Sequence, residues 1–136
     1  MSDERGTVTA FVTAMAVALL AVVGLVADGG FILAAKRQAF DEAEAAARAG
    51  AQAVDIDSVR RGGPVRIDPE AARARALDYL RPTGHEGTVA VEGDVVRVQV
   101  RFQRDMTVLG LIGLGPAAIV GDGEARGVRG VHRADD

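Results

Sequence analysis

The sequence predicts an α+β chain: a long N-terminal transmembrane helix with an alanine-rich stalk, then a small domain of one helix on about three antiparallel strands. Three observations carry this. Thr7 to Ala27 is 21 residues without a charge. "ILAAKRQAFDEAEAAARAGAQAV", from Ile32 to Val54, continues it with the strongest helix former and no proline before Pro64. "TVAVEGDVVRVQVRFQ", from Thr88 to Gln103, alternates apolar and polar residues about a Gly-Asp pair, the pattern of a hairpin. The expected division is a tail at 1–6, helix and stalk at 7–54, a linker at 55–68, the small domain at 69–126 and a flexible tail at 127–136.

The first element follows from length. A helix rises about 1.5 Å per residue and needs about 20 apolar residues to cross a bilayer. Thr7 to Ala27 meets that length, is apolar all round and offers water no polar face. A buried core helix of a soluble protein is the rival, but such helices rarely go so far uncharged. A cleaved export signal would carry a basic start and an apolar centre of about 7–15 residues. Here the start reads Met-Ser-Asp-Glu-Arg and helix-forming sequence follows without a break, so retention is expected. The positive-inside count sets Arg5 and the amino group against Lys36, Arg37 and Arg48, which leans toward an outside N-terminus.

Asp28-Gly29-Gly30 ends the uncharged run. With Gly24, these glycines each weaken the helix by about 1 kcal/mol relative to alanine, so a bend or local melting is expected there. Asp28 has two readings. It caps a helix segment starting at Gly29, or it pairs with a cation of a neighbouring chain, such as the amino terminus or Arg5, because an ionised group near hydrocarbon demands a partner.

In the stalk, Ala39, Phe40, Ala43, Ala47 and Val54 fall on one stripe, with Ala46 and Gly50 at its edge. Small residues in such a stripe let another backbone come close. Arg37 with Asp41 and Glu44 with Arg48 are i,i+4 charge pairs on the exposed side.

The remaining elements are shorter. "DIDSVRRGGPVRID" reads as a connector with a Gly-Gly-Pro turn. Asp68-Pro69-Glu70 opens a helix with an N-cap, a proline at its first position and an acid in its first turn. It should bury Ala72, Ala76, Tyr79 and Leu80. In the hairpin, Val96, Val98, Val100 and Phe102 form the apolar face. The Arg97/Arg101 row opposite is a solvated outer face, weighed against an anion site. Met106 to Gly121 has no charge for 16 residues. It is short for a crossing and contains Pro116, so a buried helical turn and then a strand, Ala117 to Arg126, are expected. A second membrane contact is its other reading.

Composition narrows function by exclusion. The 16 basic and 19 acidic residues give a net charge of −3, and no cysteine or tryptophan is present. That gives no reason to expect nucleic acid, and thiolate chemistry is excluded. His85 and His132 are expected in exposed loops without metal-ligand spacing. "GLIGLG" lacks the spacing and the Lys-Ser/Thr of phosphate loops, and Asp55 with Asp57 lies in a connector without a pocket. No catalytic residue, metal ligand, cofactor or small-molecule substrate is expected.

The order Arg5-Gly6, an uncharged run, "VADGG" and "AAKRQAFDEAEAAARAGA" resembles the N-terminal region of the TadE/TadG-like pilus-assembly proteins of the tight-adherence (Flp) pilus machinery. Asp28, Gly30 and Ala49-Gly50-Ala51 fit that pattern, over about residues 5–55. The resemblance implies a cytoplasmic N-terminus, against the charge count, and an outward C-terminal domain on a single-pass membrane protein. Its partners would be membrane lipid, other pilus or pseudopilin subunits and assembly-platform proteins. Gly6 stands where prepilin peptidases cut pilin-like chains, but Phe11 occupies the position five residues on where those carry glutamate. The processing signal is therefore incomplete. The expected function is structural, acting by helix-mediated assembly. The rival is a membrane-tethered extracytoplasmic binding domain that works alone.

Overall fold

The computed structural model describes residues 3–127. The side chains of Asp3 to Arg5, His132 and the expected tail beyond Gly127 lie outside the described residues. Helix α1 spans Asp3–Ala51, α2 Ile56–Arg60 and α3 Pro69–Leu80. Strands β1 (Glu86–Glu92), β2 (Val95–Arg104) and β3 (Ala117–Arg126) form one sheet in the order β1-β2-β3. Two compact units result: residues up to Ala34 with Gln103–Ala117, and Ala35–Phe102 with the chain from Ala118.

The second unit holds the sheet. β1 and β2 pair antiparallel from Glu86↔Arg101 to Glu92↔Val95, closing on Gly93-Asp94, where Gly93 takes a φ of 62° that a side chain would resist. Alternation along β2 buries Val96, Val98 and Val100 on one face. Ala72, Ala76 and Leu80 of α3 join them in one cluster with Ala43, Ala46 and Ala47 of α1. The sheet therefore carries two helices on one side, α3 and the alanine-rich end of α1, where the sequence suggested one. Tyr79, expected in the buried stripe of α3, is 48% exposed; the stripe is Ala72, Ala76 and Leu80 at i, i+4 and i+8.

Local rules explain the connections. Asp68 caps α3 by accepting from the Glu70 and Ala71 amides, with Pro69 in the first turn. The connector is more ordered than expected. Asp55 caps α2 through the Ser58 amide, and an antiparallel bridge joins Val54 to Ile67.

In the first unit, α1 runs unbroken through Asp28-Gly29-Gly30, so the expected local melting is absent. Near it lies a 3₁₀ turn, Leu109–Ile112, ended by Gly113 at φ 90°. Met106 to Gly121 was expected to begin with a buried turn. Instead Leu111 is 86% and Ile112 74% exposed.

Candidate functional site

Two features set α1 apart, one in each unit. The first is Asp28, a carboxylate that is 2% exposed at the end of the charge-free run. A buried charge must be hydrogen-bonded or paired. Asp28 Oδ1 accepts from the amides of Thr107 (3.1 Å) and Val108 (3.2 Å). Its Oδ2 accepts from Val108 (3.0 Å) and Leu109 (2.7 Å). These amides open the 3₁₀ turn, whose first donors have no partner within it. Asp28 thus caps a turn about 80 residues away along the chain, not the helix segment at Gly29. One turn earlier, Gly24 makes room: a Cβ there would collide with the Val108 side chain.

The glycines after Asp28 behave differently. Gly29 and Gly30 are exposed, and a Cβ on either would meet nothing within 4 Å. Gly6, in the first turns of α1, is likewise exposed and open. Nothing in the packing explains these three glycines.

The second feature is the alanine face. Ala39, Ala43, Ala46 and Ala47 have no exposed surface, and Gly50 is buried beside Ala72 of α3. β3 of the same chain covers it. A Cβ on Gly121 would strike the backbone of Ala39 and Phe40, and one on Gly123 the backbone of Ala43 and Glu44. Two strand residues advance about 6.8 Å and four helix residues about 6 Å, so β3 and α1 keep step along this contact. Of the stalk stripe read from sequence, Ala39, Ala43 and Ala47 lie on the covered face. Phe40 is 45% exposed and Val54, beyond the end of α1, is 41% exposed.

Other polar groups are engaged within the chain. Arg97 bonds Glu124 (3.0 Å) and Glu92 (2.7 Å), and Gln99 bonds Asp122 (2.8 Å) across the outer sheet face. Arg97, Gln99, Asp122 and Glu124 line an open trough of about 430 Å³. The hydrogen bond to Glu124, then that to Glu92, raises the Arg97 pKa above its ordinary value. With acidic partners on both sides, Arg97 is poorly placed to hold an anion. His85, expected in an exposed loop, has its ring stacked on Phe102 at 3.9 Å, and its Nδ1 lies 2.7 Å from Glu42 Oε2. Among the described residues no group of three or more acidic, histidine or cysteine side chains could hold a metal ion.

The apolar segment of α1 completes the picture. It is the one helix among the described residues long and apolar enough to cross a membrane, and only 6% of its most apolar window is buried. A core helix of a soluble protein would be mostly covered. Residues 6–53 match the family model for Flp pilus-assembly TadE/G-like proteins. The match spans 48 of the 136 residues. No curated protein and no solved structure matches the chain. The TadE/G-like region contains the apolar segment, Asp28 and the whole alanine face. The segments that cover Asp28 and the alanines, 107–109 and β3, lie outside it.

Asp28's partner escaped sequence reasoning because it is distant along the chain. A signal was nonetheless present: an acid within a continuous helical pattern, with glycine one turn before it on the same face. That pairing marks a place where another backbone approaches. Gly121 and Gly123 gave the matching signal in β3, as two glycines at i, i+2 on one face of a strand.

Proposed function

We propose that the protein is a single-pass, membrane-anchored structural component of a Tad-type pilus or secretion apparatus, acting by helix-mediated assembly. The observation that carries this reading is the coincidence of the TadE/G-like match with an apolar helix whose surface is uncovered. An apolar surface of that length has no stable exposure to water, and lipid satisfies it. The N-terminus faces the cytoplasm and the C-terminal domain faces outward. The chain divides for this role into the tail at 1–6, anchor and stalk at 7–54, linker at 55–68 and outward domain at 69–126. The end of the stalk is also built into the core of that domain.

The partners in this reading are other pilus or pseudopilin subunits and assembly-platform proteins. Ala39 and Ala43 hold β3 and Ala47 lies in the domain's core, so they serve assembly by fixing the domain to its own helix. Phe40 and Val54 remain outside and are the stalk residues a partner helix can reach. Phe40→Asp should abolish co-purification with other pilus components while the domain stays folded by hydrogen exchange. Intact co-purification would instead favour a tethered domain that works alone. Gly6 stays as an incomplete peptidase site, and the mass of the mature chain decides whether it is cut.

A further inference from the structure

We infer that the turn clamped by Asp28, residues 106–115, is a second membrane-contacting element that lies in the headgroup–acyl boundary beside the anchor helix. The inference rests on the membrane anchoring proposed above and adds a lipid-binding surface to it.

Three observations point to lipid as the occupant. The turn presents large aliphatic side chains outward: Leu111 is 86% exposed, Ile112 74% and Leu114 48%. No charge occurs from Met106 to Gly121, so no ionised side chain in the segment opposes transfer from water, while Arg104 and Asp105 stand just before it.

The depth is set by Asp28. It is the first charge after the uncharged run, and the boundary of the hydrocarbon falls near it. Asp28 binds the amides of Thr107, Val108 and Leu109, and Val108 fills the space at Gly24. The turn is therefore held at the level where the helix leaves lipid.

The third observation concerns the backbone. A segment entering a bilayer must satisfy its own amides, because lipid cannot. Asp28 takes those of Thr107, Val108 and Leu109. Those of Leu111, Gly113 and Leu114 bond to the carbonyls of Val108, Gly110 and Leu109. The turn thus turns side chains outward while these donors stay internally paired. An irregular segment of this length does not cross a bilayer, but it suits a depth of about 5–10 Å at the interface.

The chain has no cysteine, so single labels report cleanly. Full-length Leu111→Cys, Ile112→Cys, Val17→Cys and Arg73→Cys would each carry a polarity-sensitive fluorophore. The proteins would be reconstituted in vesicles of phosphatidylethanolamine and phosphatidylglycerol, with spin labels placed shallow or deep in the acyl chains. Labels at 111 and 112 should shift to the blue and be quenched most by the shallow spin label. The label at 17 should be quenched most by the deep one, and that at 73 by neither. Labels at 111 and 112 that behave like the one at 73, while 17 stays quenched, overturn the inference and leave the anchor standing. An aqueous label at 17 brings down the anchor itself. Labels at 111 and 112 that are shielded from water yet quenched by neither spin label would mean that protein covers the turn, which also overturns it. Adding Asp28→Ala should remove the shallow quenching at 112 and leave 17 unchanged. Persistence of that quenching would overturn the part given to Asp28.

Discussion

Gly121→Ala tests the contact that joins β3 to α1. A Cβ built on Gly121 lies 2.5 Å from the Phe40 amide nitrogen and 2.6 Å from the Ala39 carbonyl oxygen. Ordinary contact is about 3.5 Å, so strand and helix would have to part by about 1 Å. The obstructing atoms are helix backbone and cannot rotate away as a side chain can. A gap of about 1 Å forfeits up to half of each contact's attraction along the buried face, and overpacking of this kind costs about 3 kcal/mol. Alanine is favoured over glycine within a strand by about 0.5–1 kcal/mol, so the clash wins by about 2 kcal/mol. In a domain of this size that lowers the melting temperature by about 10 °C. The assay is thermal unfolding of the full-length protein in detergent micelles, with hydrogen exchange to localise the loss to Ala117–Arg126. The second variant is decisive. Ala39→Gly added to Gly121→Ala should give no rescue, because removing a side chain leaves the obstructing backbone in place. An unchanged melting temperature, or rescue by Ala39→Gly, refutes the reasoning.

Two more outcomes follow from the same helix. Ala43→Glu would force a carboxylate into a fully buried position under β3. It should expose β3 to hydrogen exchange in the isolated protein, so its effect on co-purification reports folding, unlike that of Phe40→Asp. Gly29→Ala and Gly30→Ala meet open space and replace the weakest residues of a continuous helix. Each should stabilise that stretch by about 1 kcal/mol, read as slower amide exchange across residues 26–33.

The elements that sequence rules describe well are local ones. Asp68-Pro69-Glu70 carries its cap within three residues, and Gly93-Asp94 its hairpin within two, so both were legible. The long α1 was legible from its lack of charge and of proline. What covers a helix face is another matter. The alanine periodicity marked a face that another backbone approaches closely, without saying which. The contact is made by Gly121 and Gly123, some 80 positions later along the same chain. Phe40 lies at the edge of that stripe, its backbone against Gly121 but its side chain 45% exposed. Tyr79 is likewise half exposed at the edge of the stripe formed by Ala72, Ala76 and Leu80. Asp28 has two readings in the sequence, a cap on backbone amides or the partner of a cation; it does accept backbone amides, but those of Thr107, Val108 and Leu109 rather than those of the segment starting at Gly29. The stretch holding Leu111 and Ile112 reads as either a buried turn or a membrane contact, because an uncharged run looks the same in either setting.

The glycine–alanine clasp has a consequence for how the chain matures. Ala39 and Ala43 are synthesised some 80 residues before Gly121 and Gly123, so their meeting is a late, long-range event. Until the final strand has emerged, the alanine ridge is bare and as able to receive a strand from another molecule as its own. A nascent or truncated polypeptide ending before Ala117 is therefore the form most open to receiving β3 of a complete sibling.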